Sequence, residues 1–149
     1  MKICDLKEED FPAASELIWK TYYACEKDRC TMDELAAFRD LIAPMSLRWN
    51  AIDGSIRYCG AFEDGALVAV GAVRDEKHVL LLYVRHDLFG RGYGTAMLKH
   101  LIALCRGGTV TVNSSDHAVG FYRRFGFEPV GERRREDGIA VTPMRLTKS

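Results

Sequence analysis

His78-Val79-Leu80-Leu81-Leu82-Tyr83-Val84, followed by Leu88-Phe89-Gly90-Arg91-Gly92-Tyr93-Gly94-Thr95, is the stretch on which the fold turns. Its first half is apolar at every position after the histidine, the pattern of a central strand covered on both faces. Its second half sets three glycines at alternate positions ahead of a run with helical spacing. Met97, Leu98, Leu101, Ile102 and Cys105 form the apolar stripe of that run, and Gly107-Gly108 closes it. A buried strand, a glycine-rich turn and an amphipathic helix in succession predict a sheet with helices packed on it.

Upstream, Ile56 to Glu63 and Ala66 to Arg74 read as strands joined at Glu63-Asp64-Gly65, since Asp-Gly is a strong hairpin turn. The chain opens with Lys2-Ile3-Cys4-Asp5-Leu6, which alternates like a short strand. Phe11, Ser15, Leu17, Ile18, Tyr22 and Cys25 then fall near one helical stripe, with Pro12 in the first turn. Thr31-Met32-Asp33-Glu34 is a capping box ahead of a second helix bearing Leu35, Phe38, Leu41 and Ile42, with Pro44 as its stop. Downstream, Val110 to Asn113 is a strand. Ser115 or Asp116 caps a helix carrying Val119, Phe121, Tyr122 and Phe125 and ending at Gly126. A last hairpin, Phe127 to Glu132 and Ile139 to Leu146, turns at Asp137-Gly138. The order β-α-α-β-β-β-α-β-α-β-β predicts an α/β (α+β) mixed sheet flanked by helices.

With 149 residues, one domain spanning 1–149 is expected. A composition of 48% hydrophobic and 28% charged residues excludes a disordered chain. No run reaches the roughly 18 apolar residues of a membrane span, and the N-terminus lacks a signal-peptide core, so a cytoplasmic protein with no membrane partner is expected. Cys4, Cys25, Cys30, Cys59 and Cys105 make no C-x-x-C pair and read as reduced core thiols. The net charge is zero but unevenly spread. Residues 1–74 carry 9 basic against 13 acidic side chains and residues 75–149 carry 12 against 8, so an anionic ligand favours the second half.

A loop with glycines at 90, 92 and 94 can turn its main-chain N–H groups toward one point, and the helix it opens adds a positive end. It lacks the G-K-[ST] of a Walker A loop and the spacing of G-x-G-x-x-G, which disfavours the nucleotide folds that carry those motifs. A tight strand-to-helix turn without a ligand is the other reading of the same residues. His86, His100 and His117 have no metal-ligand spacing and read as surface residues, so no metal is expected. Arg133-Arg134-Arg135 is interleaved with acids rather than aromatics and reads as a solvated turn, not a nucleic-acid site.

Phe89-Gly90-Arg91-Gly92-Tyr93-Gly94 resembles the acetyl-CoA loop of the GNAT superfamily of N-acetyltransferases, Q/R-x-x-G-x-G/A, at every position except the first, where Phe89 stands. The aromatic-Tyr helix end followed by Gly-Phe is similar to that family's second signature and appears as Phe121-Tyr122-Arg123-Arg124-Phe125-Gly126-Phe127. The resemblance covers residues 56 to 146 well and residues 1 to 55 coarsely. It implies a mostly antiparallel sheet and acetyl-CoA as cosubstrate. It also implies a loop, Phe89 to Thr95 with Arg91 as its fixed charge, that holds the pyrophosphate mainly through main-chain N–H groups. On the strand before it, Leu82, Tyr83 and Val84 would supply main-chain contacts, with the oxyanion met around Tyr83 and Val84. The family often sets Asn seven residues ahead of the Tyr; here Ser115 is there and Asn113 lies nine ahead, and either suits the pantetheine amides, Asn113 with the larger set of donors and acceptors.

The implied reaction is direct attack of an amine on the thioester in a ternary complex. An ammonium with a pKa near 10.4 must lose about 3.4 units, roughly 4.6 kcal/mol at pH 7, so a base is useful. His78 occupies the strand position where family members carry a catalytic Glu and is the base this alignment implies, imidazole ordinarily titrating near pH 6.5; a strand-edge histidine, exposed or hydrogen-bonded without catalytic duty, is the other reading. Tyr122 matches the group beside the departing sulfur. A phenol near 10 against a thiol near 8.5 suits it to hydrogen-bond the thiolate. Phe121 and Tyr122 would both border the cosubstrate. The acceptor, a small molecule or a peptide amine, is open, as is a homodimer. Glu26, Asp28, Asp33 and Glu34 near the first two helices read either as solvated helix ends, the commoner case, or as a hint of a cationic acceptor. A catalytically silent CoA-binding sensor shares all these features except turnover.

Overall fold

The computed structural model describes residues 1–136 and 139–148. In chain order it contains β1 (Lys2–Asp5), α1 (Phe11–Glu26), α2 (Met32–Leu41), α3 (Pro44–Ala51), β2 (Ile56–Glu63), β3 (Ala66–Arg74) and β4 (His78–Val84). There follow α4 (Tyr93–Leu104), β5 (Thr109–Ser114), α5 (Val119–Phe125), β6 (Glu128–Pro129), β7 (Arg134–Glu136) and β8 (Ile139–Thr147). Single 3-10 turns lie at Glu8–Asp10, His86–Leu88 and Asp116–Ala118. The strands run β1-β2-β3-β4-β5-β8-β6, with β7 paired to β8. Every pairing is antiparallel except β4 with β5, which α4 connects by the crossover that a parallel pair requires. The result is the mixed, mostly antiparallel α/β sheet flanked by helices that the pattern predicts.

The two faces of the sheet carry separate cores. On one, Met97, Leu98 and Leu101 of α4, with Tyr122 and Phe127, cover Cys59, Ala61, Ala69, Val73 and Val79. On the other, Phe11, Ile18 and Tyr22 of α1, with Phe38 and Leu47, cover Tyr58, Val70 and Ala72. Alternation along β2 and β3 deals their side chains to the two layers in turn. Gly71 lets α4 come close: a Cβ there would lie 2.8 Å from Leu101 Cδ1. Burying each of these large side chains contributes about 1.5–3 kcal/mol.

Three sequence expectations change. Pro44 does not only end the second helix; it is the first residue of α3, where a proline's missing N–H costs nothing. The last hairpin is broken up, with two residues in β6 and three in β7. Its expected turn, Asp137-Gly138, lies outside the described residues. The arginine run is solvent-exposed as expected, but it runs into strand β7 rather than forming a turn, and its side chains are paired. Arg133 forks onto Asp116 at 2.9 and 3.0 Å, Arg134 bonds Glu136 at 3.0 Å, and Arg135 pairs with Glu34 of α2. The last of these pairs ties β7 to α2, and the first ties the residue before β7 to the turn after β5. Cys59 and Cys105 are buried, while Cys4, Cys25 and Cys30 are half-buried; all five are free thiols. Among the described residues no helix is long and apolar enough to cross a membrane.

Candidate functional site

The site begins where two strands part. β4 and β5 pair only at His78 with Thr111 and Val79 with Val112. Beyond that point β5 stays bonded to β8 and β4 to β3, and the gap between them opens into a cleft of about 360 Å³. A bulge marks the parting: Ala72 opposes Leu81 and Val73 opposes Val79, leaving Leu80 unopposed. Past the bulge the direction of each peptide follows from the ladder. Arg85 N–H donates to Val68 O at 2.8 Å, so the antiparallel register makes Val70 with Tyr83 and Ala72 with Leu81 the bonded pairs. The N–H and C=O groups of Leu82 and Val84 therefore face the cleft. Thr21 Oγ1 of α1 donates to Val84 O at 2.9 Å, which leaves the N–H groups of Leu82 and Val84 as the free donors of this edge. The same parity divides the main-chain expectation around Tyr83 and Val84: the Val84 N–H faces the cleft, while the Tyr83 N–H belongs to the β3 ladder, although Tyr83 also borders the cleft.

At the open end of the gap sits the glycine loop. Gly90 and Gly92 take φ of 81° and 86°, conformations that L side chains rarely adopt, and a Cβ on either would project into open space. Gly92 is also the N-cap of α4 and supplies no capping side chain. The first internal bond of that helix runs from Ala96 N–H to Gly92 O at 3.0 Å. Among the described residues the N–H groups from Phe89 to Thr95 have no partner in the chain. Uncapped donors at a helix N-terminus beside space that a side chain would fill form a cradle for an anion such as a phosphate. Phe89, Gly90, Gly92, Tyr93, Gly94 and Thr95 line the cleft; Arg91 is exposed and does not, so it adds only a distant charge. Phe89, where the resembling pattern has a polar residue, lies edge-on to His86 at 5.1 Å and stacks on His117 at 6.0 Å, bridging the two arms of the gap.

On the β5 side, Asn113, Ser115, Phe121 and Tyr122 all border the cleft. Asn113 Nδ2 donates to Glu136 Oε2 at 3.3 Å, so one end of its amide is held by β7. Ser115 caps nothing with its hydroxyl. Tyr122 is 4% exposed, its ring packed edge-on to Phe121 and Phe127, and its hydroxyl has no hydrogen-bond partner among the described residues. Burial pushes that hydroxyl well above the usual phenol range, so it is a proton holder and a donor at neutral pH.

His78 stands apart from these residues. It lies at the closed end of the β4–β5 pair and is absent from the cleft wall, which on this strand begins at Leu80. Its Nδ1 is hydrogen-bonded to Thr111 Oγ1 at 2.8 Å. Burial first, and the Arg74 charge second, push its pKa down to about 4. An imidazole outside the cleft wall and bonded to Thr111 does not face an acceptor in the cleft, against the base role expected of it. His100 departs too from its surface reading: it is half-buried on α4, with Nε2 unpartnered among the described residues.

Sequence reasoning grouped Glu26 with Asp28, Asp33 and Glu34 without singling it out, yet among the described residues it is the carboxylate of the cleft wall. Glu26, the last residue of α1, is 5% exposed and borders the cleft with Tyr22 and Cys25. The sequence did carry a signal: Glu26 falls four residues after Tyr22 and so continues the apolar stripe of α1, where a charge is out of place. No group of three or more metal-ligating side chains occurs among the described residues.

Residues 26–148 match the family described as the acetyltransferase (GNAT) domain. The peptidyl-lysine N-acetyltransferase YjaB of Salmonella typhimurium is 34% identical over 62 residues, 41% of this chain and 43% of that protein. The N-alpha-acetyltransferase RimI of Mycobacterium tuberculosis is 34% identical over 88 residues, 52% of this chain and 56% of its own. The matched stretches thus span about half the length of these relatives. The crystal structure of the PaiA N-acetyltransferase of Thermoplasma acidophilum, in complex with coenzyme A, superposes with a TM-score of 0.81 over 98% of both chains at 17% identity, a likeness of fold. With the glycine cradle, the parted strands and a family match over most of its length, the chain belongs to the GNAT acetyltransferase domain family.

Proposed function

We propose that this protein is an acetyl-CoA-dependent N-acetyltransferase, a single catalytic domain that passes an acetyl group to a primary amine by direct attack within a ternary complex. The observation that carries the reading is the continuity of one cleft. Its free N–H donors on Leu82 and Val84 lead from Tyr122 to the uncapped start of α4. Two similar proteins, named for acetylation of peptidyl lysine and of α-amines, support an amine acceptor, and a structure of like fold holds coenzyme A.

The residues present fit such a cosubstrate, whose thioester supplies the acetyl group when bound. The N–H groups of Phe89 to Thr95 and the positive end of α4 hold a diphosphate, where each hydrogen bond to charge contributes about 1.5–3 kcal/mol. Gly90 and Gly92 leave it room. Leu82 and Val84 offer N–H donors to an extended chain of amides in the manner of an added strand, and one of them stands ready at the reacting carbonyl. Asn113 and Ser115 face the same chain from β5. Tyr122 donates its hydroxyl hydrogen toward the departing sulfur. Its raised pKa makes complete transfer of that proton costly, so it stabilises the thiolate rather than giving the proton up.

The test is release of free thiol from acetyl-CoA in the presence of blocked lysine peptides, peptides with a free α-amine and small diamines, with the acetylated product identified by mass. Turnover with any of these supports the proposal. Tight binding of acetyl-CoA without turnover on any amine would instead mark a sensor that keeps the cradle.

A further inference from the structure

We propose that Glu26 is the receiving residue of this cleft: its carboxylate holds the acceptor as a primary ammonium and takes one proton from it before attack. This rests on the acetyl-transfer reading above. Glu26 occupies a position that stability alone does not favour. It is 5% exposed, and a buried carboxylate costs several kcal/mol unless well partnered. It ends α1, where the helix presents its negative pole. Its partners are long contacts, Arg29 Nη1 to Oε2 at 3.3 Å and the His117 N–H to Oε1 at 3.3 Å, and the Arg29 side chain is itself 48% exposed. An acid kept in the cleft wall against these terms is poised for a cation that enters the cleft.

The surroundings are suited to that cation. Tyr22, stacked on Phe38 at 3.7 Å, and Tyr83 border the same space, and both hydroxyls are pushed up, first by burial and in part by the charge of Glu26. They stay neutral and act as donors or acceptors without competing for a positive guest. Tyr122, at the sulfur end, acts on Tyr83 in turn. The other charged or titratable groups near Glu26 are Cys25 on α1, Cys30 beyond it, Asp116 and His117 on the 3-10 turn, and Arg133, whose guanidinium also feels the Glu26 charge. Asp116 is already matched by Arg133 at 2.9 Å. His117 touches Glu26 through its backbone only.

The proton count closes. The ammonium gives one proton to the Glu26 carboxylate and the freed lone pair forms the N–C bond as the C–S bond breaks. The second proton on nitrogen passes to the departing sulfur beside Tyr122, and Glu26 returns its proton to water. The net products are an N-acetylated amine, a thiol and one proton. A side-chain ammonium and an α-ammonium share this chemistry, so two probes separate them: a lysine peptide blocked at both ends, and a lysine-free peptide with a free N-terminus.

Glu26→Gln keeps an oxygen for the His117 N–H and removes the charge. At pH 7 kcat/KM for whichever peptide the wild type acetylates should fall at least a hundredfold, within the 10²–10⁴ typical of a general base. Its logarithm should climb with unit slope toward the pKa of the peptide amine, where the wild type is flat. Calorimetric affinity of the coenzyme A-loaded protein for that peptide should weaken at least tenfold, with coenzyme A affinity unchanged within threefold. Glu26→Asp should restore the flat profile at reduced rate. A Gln variant with the wild-type pH profile and peptide affinity would overturn the role of Glu26. Failure of the wild type to acetylate either peptide or any other amine would instead overturn the acetyl-transfer reading on which it rests.

Discussion

The two ends of β4 are built from the same kind of residue and end up with opposite properties. At His78 and Val79 the strand is bonded on both sides, the histidine is half-buried and bonded to Thr111, and its pKa is pushed down. At Leu82 and Val84, four to six residues later, one side is bonded to β3 and the other faces open space. Apolar side chains dominate both ends, so hydropathy does not distinguish them. The difference is made by one unopposed residue, Leu80, which reverses the direction of the peptides that follow. A strand edge left unpaired inside a protein is a liability unless something pairs with it. Here the unpaired stretch leads directly to the uncapped N-terminus of α4, which makes the whole line of donors one binding edge.

The largest effect should come from spoiling the open end. Gly92→Val puts a branched side chain into the space beside the loop and forces a left-handed φ on a residue that disfavours it, at about 1–3 kcal/mol. The loss of two charged hydrogen bonds at about 1.5–3 kcal/mol each predicts a rise of a hundredfold or more in the acetyl-CoA dissociation constant by calorimetry. Gly107→Val is the control for strain: its φ is 79°, a Cβ there also meets open space, and it lies outside the cleft wall. The two variants should lose similar stability while only the first loses affinity. Equal affinities would show that the loop does not hold the diphosphate.

Tyr122→Phe should act more narrowly. Removing one hydroxyl that has no partner in the free protein costs the fold little, and the ring keeps its contacts with Phe121 and Phe127. If the hydroxyl serves the sulfur as negative charge develops, kcat should fall about 10- to 100-fold with the acetyl-CoA dissociation constant unchanged. A change in affinity alone would make Tyr122 a packing residue of the cleft.

Much of the arm from β2 to α5 was legible because its signals are local. Asp64-Gly65 marks a turn, Gly90 to Gly94 a helix start, and Gly126 a helix end in the left-handed region. The cap Thr31 with Glu34 was equally plain, and both reciprocal bonds are present at 2.9 and 3.1 Å. What escaped depends on partners distant in sequence. Pro44 closes one helix and opens the next, and only the packing of Leu47 against α1 decides for the second role. The bulge at Leu80 is silent in a run apolar on both faces. Arg133 and Arg135 are exposed, as they read, but their ion-pair partners Asp116 and Glu34 are distant in sequence. Among the four acids near the first two helices, nothing local separates Glu26 from Asp28, except that Glu26 lies four residues on from Tyr22 along a stripe that is otherwise apolar or small.

The smallest effect on activity is expected at the closed end of β4. His78→Gln keeps a polar group near Thr111 and touches nothing in the cleft wall, so kcat should stay within about threefold of wild type. Its signature should appear in stability instead. The histidine titrates at about 4 in the folded protein and near 6.5 when unfolded. Between those values the unfolded chain binds more protons, so stability falls as pH falls through this window and the contribution is fully present above pH 6.5. The difference corresponds to a loss on the order of 3 kcal/mol by pH 4. Urea unfolding at pH 7, 6, 5 and 4 should show the wild type weakening more steeply than His78→Gln, with the two curves converging in slope above pH 7. Parallel pH dependence would mean that His78 is not held neutral by its burial. A tenfold loss of kcat in the variant would return His78 to the chemistry and break the contrast between the two ends of the strand.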